Sequence, residues 1–260
     1  MPASLAQGVL GLASDSLVGF SLGLVGGGGS ILAVPLLVYV VGVASPHIAI
    51  GTSAIAVAAN AAANLATHAR AGNVKWRCAA VFSVAGVIGA FGGSTLGKMM
   101  DGQRLLALFA LLMLIVGGLM LRGRGSVGEP GVVLSRENLP KLVASGLVTG
   151  ALSGFFGIGG GFLIVPALVL ATGMPMLYAI GSSLVAVTAF GLTTAGNYAW
   201  SGLVDWTLAA LFVGGGVLGG LVGARVAKFL SHRKGVLNTI FAALIVLVAV
   251  YMLVRSLDLV

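Results

Sequence analysis

Gly26-Gly27-Gly28-Gly29-Ser30-Ile31-Leu32-Ala33-Val34-Pro35 is repeated, 131 positions on, as Gly157-Ile158-Gly159-Gly160-Gly161-Phe162-Leu163-Ile164-Val165-Pro166. Each copy interrupts an apolar run, near 5–43 and 139–173. Both runs are too long for one bilayer-crossing helix, which takes about 20 residues. Outward from these breaks the match continues. Ala49-Ile50-Gly51-Thr52-Ser53 pairs with Ala179-Ile180-Gly181-Ser182-Ser183, and Gly72, Val74 and Trp76 pair with Gly202, Val204 and Trp206. Gly86, Gly89, Gly93 and Lys98 pair with Gly216, Gly219, Gly223 and Lys228. Chance likeness between two hydrophobic stretches would not align glycines, prolines and tryptophans in order, so the chain is an internal duplication.

Composition sets the solvent. Residues of the AVILMFWYC set make up 58% of the 260, 42 more are glycine, and mean hydropathy is +1.13. Charged residues are 8%, against about 25% in an ordinary soluble domain. Such a chain could not cover its own surface in water, which excludes a soluble enzyme, a nucleic-acid binder and a disordered protein. The net charge of +8 comes from basic residues between apolar runs, where cytoplasmic loops of membrane proteins carry them. Cys78 is the single cysteine, so no intrachain disulfide forms, and its place inside an apolar run predicts a buried, inert thiol. The N-terminus lacks a basic n-region and Leu5 already opens a span, so no cleaved signal peptide is expected.

Further apolar runs lie near 47–69, 78–97, 104–121, 176–200, 206–230 and 236–254, and the one long polar stretch is 122–138. The expected fold is all-α: a polytopic integral membrane protein of two inverted repeats, each a glycine-broken helical hairpin plus three transmembrane helices. Residues 1–121 form the first repeat, 122–138 a cytoplasmic linker and 139–260 the second repeat. The inversion rests on charge. If each broken run is a hairpin, one face holds Arg70, Lys75, Arg77, Arg122, Arg124, Arg136, Lys141, Arg225, Lys228, Arg233 and Lys234, eleven in all, and the other only Lys98, Arg104 and Arg255. If each is a single crossing, the split is eight to six. The positive-inside rule selects the first arrangement, with both termini outside.

A helix break inside a membrane leaves backbone groups unpaired, and only protein or a water-filled cavity can receive them. Half-helices restarting at Ser30 and at Gly161 or Phe162, with Pro35 and Pro166 about a turn inside, would aim free N–H donors and about half a positive charge each at the breaks. Two such N-termini brought in from opposite sides make an anion site near the midplane. The candidate substrate-binding residues are Gly27, Gly28, Gly29, Ser30, Thr52, Ser53, Asn64, Gly159, Gly160, Gly161, Ser182, Ser183 and Asn197. The hydroxyls among them could donate to an anion or turn back onto their own helix. Asn60 and Asn64, Thr193, Thr194 and Asn197 serve equally as polar glue between helices. Gly86, Gly89, Gly93, Gly97, Gly216, Gly219 and Gly223 have the spacing of close helix packing. Asp15 sits mid-span with no acidic counterpart in the second copy; it is a proton-coupling candidate or a protonated or paired structural acid. His68 and Arg70 read as interfacial anchors, and His47 as a residue of an outer loop.

At Gly-x-Gly-Gly-Gly-x-Leu-x-x-Pro and Ala-Ile-Gly-[Thr/Ser]-Ser, each present twice with Ser30 standing where the second copy has Gly161, the sequence resembles the sulfite exporter TauE/SafE family, also called the TSUP family. The resemblance covers nearly the whole chain. It implies a multi-pass transporter of the bacterial or archaeal cytoplasmic (inner) membrane for sulfite, sulfonates or other small sulfur-containing anions. The expected function is secondary active transport of such an oxyanion, coupled to protons. An anion channel could use the same helix dipoles. An intramembrane enzyme would need paired aspartates, a His-Glu-x-x-His helix or a Ser/His pair, and none occurs. No cofactor or metal is expected. The expected partners are the sulfur-containing anion and the lipid bilayer, not nucleic acid, and a homodimer is allowed.

Overall fold

The computed structural model describes residues 5–25, 30–122, 132–157, 161–230 and 236–257. All regular structure among them is helical. The first half contains α1 (Leu5–Val25), a short α2 (Ala33–Pro35) running into a π turn at Leu36–Val40, α3 (Pro46–Arg70), α4 (Trp76–Met99) and α5 (Gly102–Arg122). The second contains α6 (Leu139–Phe156), α7 (Gly161–Thr172), α8 (Met176–Trp200), α9 (Trp206–Leu230) and α10 (Val236–Leu257). Among the described residues four helices, α3, α4, α6 and α8, are long and apolar enough to cross a bilayer.

Described helix ends at Val25 and resumes at Ser30 in the first long run, and ends at Phe156 and resumes at Gly161 in the second. Gly157 ends α6 in the left-handed region, φ 68°, and α7 starts at Gly161. With 12 residues, α7 spans only about 18 Å at 1.5 Å per residue, well short of a hydrocarbon core of about 30 Å. The prolines act differently in the two copies. Pro166 lies inside α7, whereas Pro35 is followed by the π turn, closed by Val41 N–H on Leu36 O at 3.0 Å. A proline removes one ladder donor and crowds the preceding turn, and widening to i→i+5 pairing is one way to absorb that.

The halves are interleaved. α1 packs along α9, and α4 along α6; each pair is the counterpart of the other when the halves are exchanged. Glycines set the approach. A Cβ at Gly89, Gly93 or Gly97 would strike the backbone of Leu147, Ala151 or Phe155, and one at Gly219 or Gly223 that of Ser16 or Phe20. Gly86 faces Gly150 as Gly216 faces Gly19. These small-residue ladders are packing devices, as their spacing predicts. At the centre, the equivalent helices α3 and α8 lie side by side and antiparallel. Gly51 abuts Tyr198 and Leu203, Ala54 and Ala58 abut Gly191, and Asn73 abuts Gly181.

Outward faces are apolar: Val84, Ile88, Phe91 and Leu96 on α4, Leu170 on α7 and Leu192 on α8 are exposed. In water such a surface would drive association; in lipid it is the proper one. The tryptophans stand at helix ends, Trp76 and Trp206 opening α4 and α9 and Trp200 closing α8, all exposed, as interfacial aromatics do. Cys78 is buried. His68 and Arg70 occupy the last turn of α3. The loop expectation for His47 is corrected: Pro46 at the first helical position starts α3 early, and His47 in that first turn donates through Nε2 to Met100 O at 3.1 Å.

Candidate functional site

The two Gly-hydroxyl motifs meet the opposite half of the chain. Thr52 Oγ1 accepts a hydrogen bond from Asp205 N–H at 3.0 Å, and Ser182 Oγ accepts one from Lys75 N–H at 2.9 Å. Asp205 and Lys75 are equivalent residues, each immediately before its helix, so each hydroxyl satisfies a donor at the helix start of the other half. The neighbouring glycine makes this possible, because a Cβ at Gly51 or Gly181 would run into Leu203 O or Asn73 O. Ser53 and Ser183 instead turn back on their own helix, onto Ile50 O at 3.0 Å and Ile180 O at 2.7 Å. A hydroxyl that accepts from an N–H still has its own proton to give. Thr52 and Ser182 therefore keep a donor, while the protons of Ser53 and Ser183 are engaged. Thr52→Ala and Ser182→Ala are each expected to cost about 1 kcal/mol through the orphaned N–H. Thermal unfolding of the single and double variants checks this, and near-additive losses are expected.

The second break comes to the same place. A Cβ on Gly157 would collide with Ile50, two residues before Thr52, and its positive φ also excludes most side chains. Gly161 and Ser30 are buried. Gly27, Gly28, Gly29, Gly159 and Gly160 lie outside the described residues. The structure thus brings the edge of one break against the hydroxyl motif of the other half.

Asn64 and Asn197 have other engagements. Asn64 Nδ2 donates to Asn60 O, on its own helix, at 2.9 Å. Asn197 Nδ2 donates across to α4, to Ser94 Oγ at 2.6 Å and Thr95 Oγ1 at 3.0 Å. Lys98 Nζ donates to Asn197 Oδ1 at 2.7 Å, Asn197 O at 3.0 Å and Ser201 Oγ at 2.8 Å, which uses all three ammonium donors. This joins α4 to the last turns of α8, the role of polar glue. Thr193 bonds its own helix at Ala189 O, 2.8 Å.

Two hydroxyls, those of Ser153 and Tyr198, escape sequence reasoning, and that of Thr194, expected as polar glue, finds no partner among the described residues. Ser153, one turn before Gly157, Thr194, and Tyr198, beside Gly51, are buried and have no hydrogen-bond partner among the described residues. Unpartnered donors in a dry interior are costly unless a ligand or water takes them. For Ser153 the sequence cue is its nearness to the glycine cluster.

Asp15 lies between α1, α3 and α9 and is fully buried; Asn60 Nδ2 donates to its Oδ2 at 2.9 Å. Among the described residues no group of three or more histidine, cysteine or acidic side chains could hold a metal ion.

Long apolar helices with lipid-suited outer faces, and a short helix over Gly161–Thr172, describe a multi-pass membrane protein. The sulfite exporter TauE/SafE family model matches residues 12–252. A probable membrane transporter protein of Xylella fastidiosa (strain 9a5c) is 56% identical over 250 residues, 95% of each chain. The probable membrane transporter protein YunE of Bacillus subtilis (strain 168) is 26% identical over 248 residues, 86% of this chain and 89% of that one. The probable membrane transporter protein MJ0441 of Methanocaldococcus jannaschii is 29% identical over 165 residues, 60% of each. No solved structure matches. The chain belongs to the sulfite exporter TauE/SafE family and is a membrane transporter.

Proposed function

We propose that this transporter moves a small sulfur-containing oxyanion, sulfite, a sulfonate or a related organosulfur anion, across a bacterial or archaeal cytoplasmic membrane by proton-coupled secondary transport. The anion sits between the two glycine breaks, near Thr52 and Ser182, held by half-helix N-termini rather than by a lysine or arginine. One observation carries the reading: the break at Gly157 packs on Ile50, beside a hydroxyl motif that itself crosses to the other half. A site shared by both halves changes when they rock against each other, as alternating access requires.

The halves are inverted in the membrane, 1–121 and 139–260, with 122–138 a cytoplasmic linker and both termini outside. The antiparallel α3 and α8 support this, since equivalent membrane-long helices running in opposite senses place the two-fold axis in the membrane plane. The eleven-to-three charge split supports it too. Thiol labelling in intact cells tests it. Ala71→Cys and Ser201→Cys are expected to react from opposite sides of the membrane; labelling from the same side would restore parallel repeats.

The function itself is tested in proteoliposomes loaded with sulfite, sulfate, thiosulfate, taurine or sulfoacetate. An imposed pH gradient is expected to drive one of the sulfur anions against its own gradient. Flux that only follows the anion gradient would indicate a channel. In Asp15→Asn, pH-driven accumulation is expected to disappear while substrate binding stays; pH-driven transport like the parent's would return Asp15 to a structural role.

A further inference from the structure

The position facing Gly216 is filled differently in the two halves. The equivalent corner is made by Gly86 of the first half with Gly146 and Phe190 of the second, and the Phe190 ring fills it, stacked on Phe82 with centroids 6.1 Å apart. In the first half the counterparts of Gly146 and Phe190 are Asp15 and Asn60, and a Cβ on Gly216 would strike both their side chains. Exchanging the halves therefore exchanges a dry aromatic plug for an acid and an amide. Both are fully buried, both have an oxygen without a partner, Asp15 Oδ1 and Asn60 Oδ1, and they are joined by the 2.9 Å bond from Asn60 Nδ2 to Asp15 Oδ2.

A carboxylic acid and a primary amide have matching sets of donors and acceptors. The amide N–H gives to one carboxyl oxygen, and the acid O–H gives to the amide oxygen. The first bond is present, and the two oxygens of the second are the orphans. A buried carboxylate without a cation beside it is costly, as is an unpaired amide oxygen. One proton on Asp15 Oδ1 would relieve both.

We propose that Asp15 and Asn60 form a single proton-loading site, present in the first half only, with Asn60 the positioning residue that receives the acid proton. The proposal rests on the proton-coupled reading above and names the site within it. A proton from water bonds to Oδ1 to give the neutral acid; on release it returns to water and leaves the carboxylate. With Phe190 closing the counterpart position, one proton is carried per chain in each cycle.

Other titratable or charged groups on the elements packed against α1 are set apart. On α3, His68 and Arg70 lie eight and ten residues beyond Asn60, about 12–15 Å along the axis. On α9, Asp205 precedes the first turn, eleven residues before Gly216, and Arg225 and Lys228 come nine and twelve residues after it. The π turn contributes Tyr39, whose ring meets Tyr251 of α10 edge-on at 5.6 Å, and α10 also carries Arg255. Among the described residues the side-chain partner of Asp15 is Asn60 and none of these groups.

Infrared spectroscopy of the full chain in lipid, titrated with pH in the absence of substrate, tests the proposal. Among the described acidic residues, Asp15, Asp101, Glu137 and Asp205, only Asp15 lies in the middle of an apolar helix, and loss of a protonated-carboxyl band in Asp15→Asn assigns it. The parent is expected to show a titrating band that vanishes in Asp15→Asn. In Asn60→Leu the band is expected to change frequency and its midpoint to move by roughly tenfold in proton concentration, as loss of a neutral hydrogen bond allows. If Asn60→Leu does not fold, Asn60→Gln, which shifts the same amide by one methylene, is read the same way. A band that survives Asp15→Asn, or one unmoved in the folded Asn60 variant, would overturn the proposal. Because no substrate is present, this result can fail while the oxyanion reading holds, and the reverse.

Discussion

Gly150→Val and Gly19→Val are expected to be among the most destabilising single substitutions in the chain. Each glycine faces a glycine of the partner helix, Gly86 for one and Gly216 for the other, and its Cβ would lie against backbone, not against the movable end of a side chain. Overpacking a core costs about 1–3 kcal/mol and occasionally more. Here the obstruction is two main chains in contact, so the helices must separate. That separation would also open the packing on either side, where Gly89, Gly93 and Gly97 meet α6, and Gly219 and Gly223 meet α1. The loss is expected at or above the upper end of that range. Gly92→Val is the control, because nothing lies within 4 Å of a Cβ there. Thermal unfolding in detergent should rank both ladder variants far below the control. Equal stability of Gly150→Val and Gly92→Val would mean that α4 and α6 are not held in this contact.

Much of the architecture is legible in the residues. Gly157 ends α6 and Gly161 starts α7, as the second cluster predicts, and the run from Pro46 forms one 25-residue helix. The small-residue ladders are visible as spacing, but a ladder does not name its partner. The pairing of α1 with α9 and of α4 with α6 follows from interleaving that no local signal encodes. The same limit applies at the site. Gly51-Thr52-Ser53 and Gly181-Ser182-Ser183 announce hydroxyls beside a backbone approach, but not that Thr52 and Ser182 take N–H donors from the opposite half. Lys98 enters the sequence reading only as the match of Lys228 and as one of three charges on the less basic face, and only the fold brings its ammonium to Asn197 and Ser201. Tyr198 aligns with His68 and gives no sign of a buried, unpaired hydroxyl. Asp15 and Asn60 are 45 residues apart; each is conspicuous among apolar neighbours, but their contact needs α1 and α3 side by side.

The central claim is that a sulfur oxyanion lies against the glycine breaks, and binding to Gly28→Val and Gly159→Val tests it most directly. A backbone N–H cannot be deleted by substitution, but its approach can be blocked, and a β-branched side chain adds bulk where the main chain must touch the ligand. Losing two charge-assisted hydrogen bonds, at about 1.5–3 kcal/mol each, weakens binding by roughly a hundredfold or more. The measurement is calorimetric titration of folded, monodisperse protein with the anion that most raises the parent's melting temperature, since a ligand bound only by the native state stabilises it. Both valine variants are predicted to lose at least that hundredfold, while Gly92→Ala, in open space, binds as the parent does. Folded Gly28→Val and Gly159→Val proteins that bind with the parent's affinity would place the anion elsewhere and contradict the account.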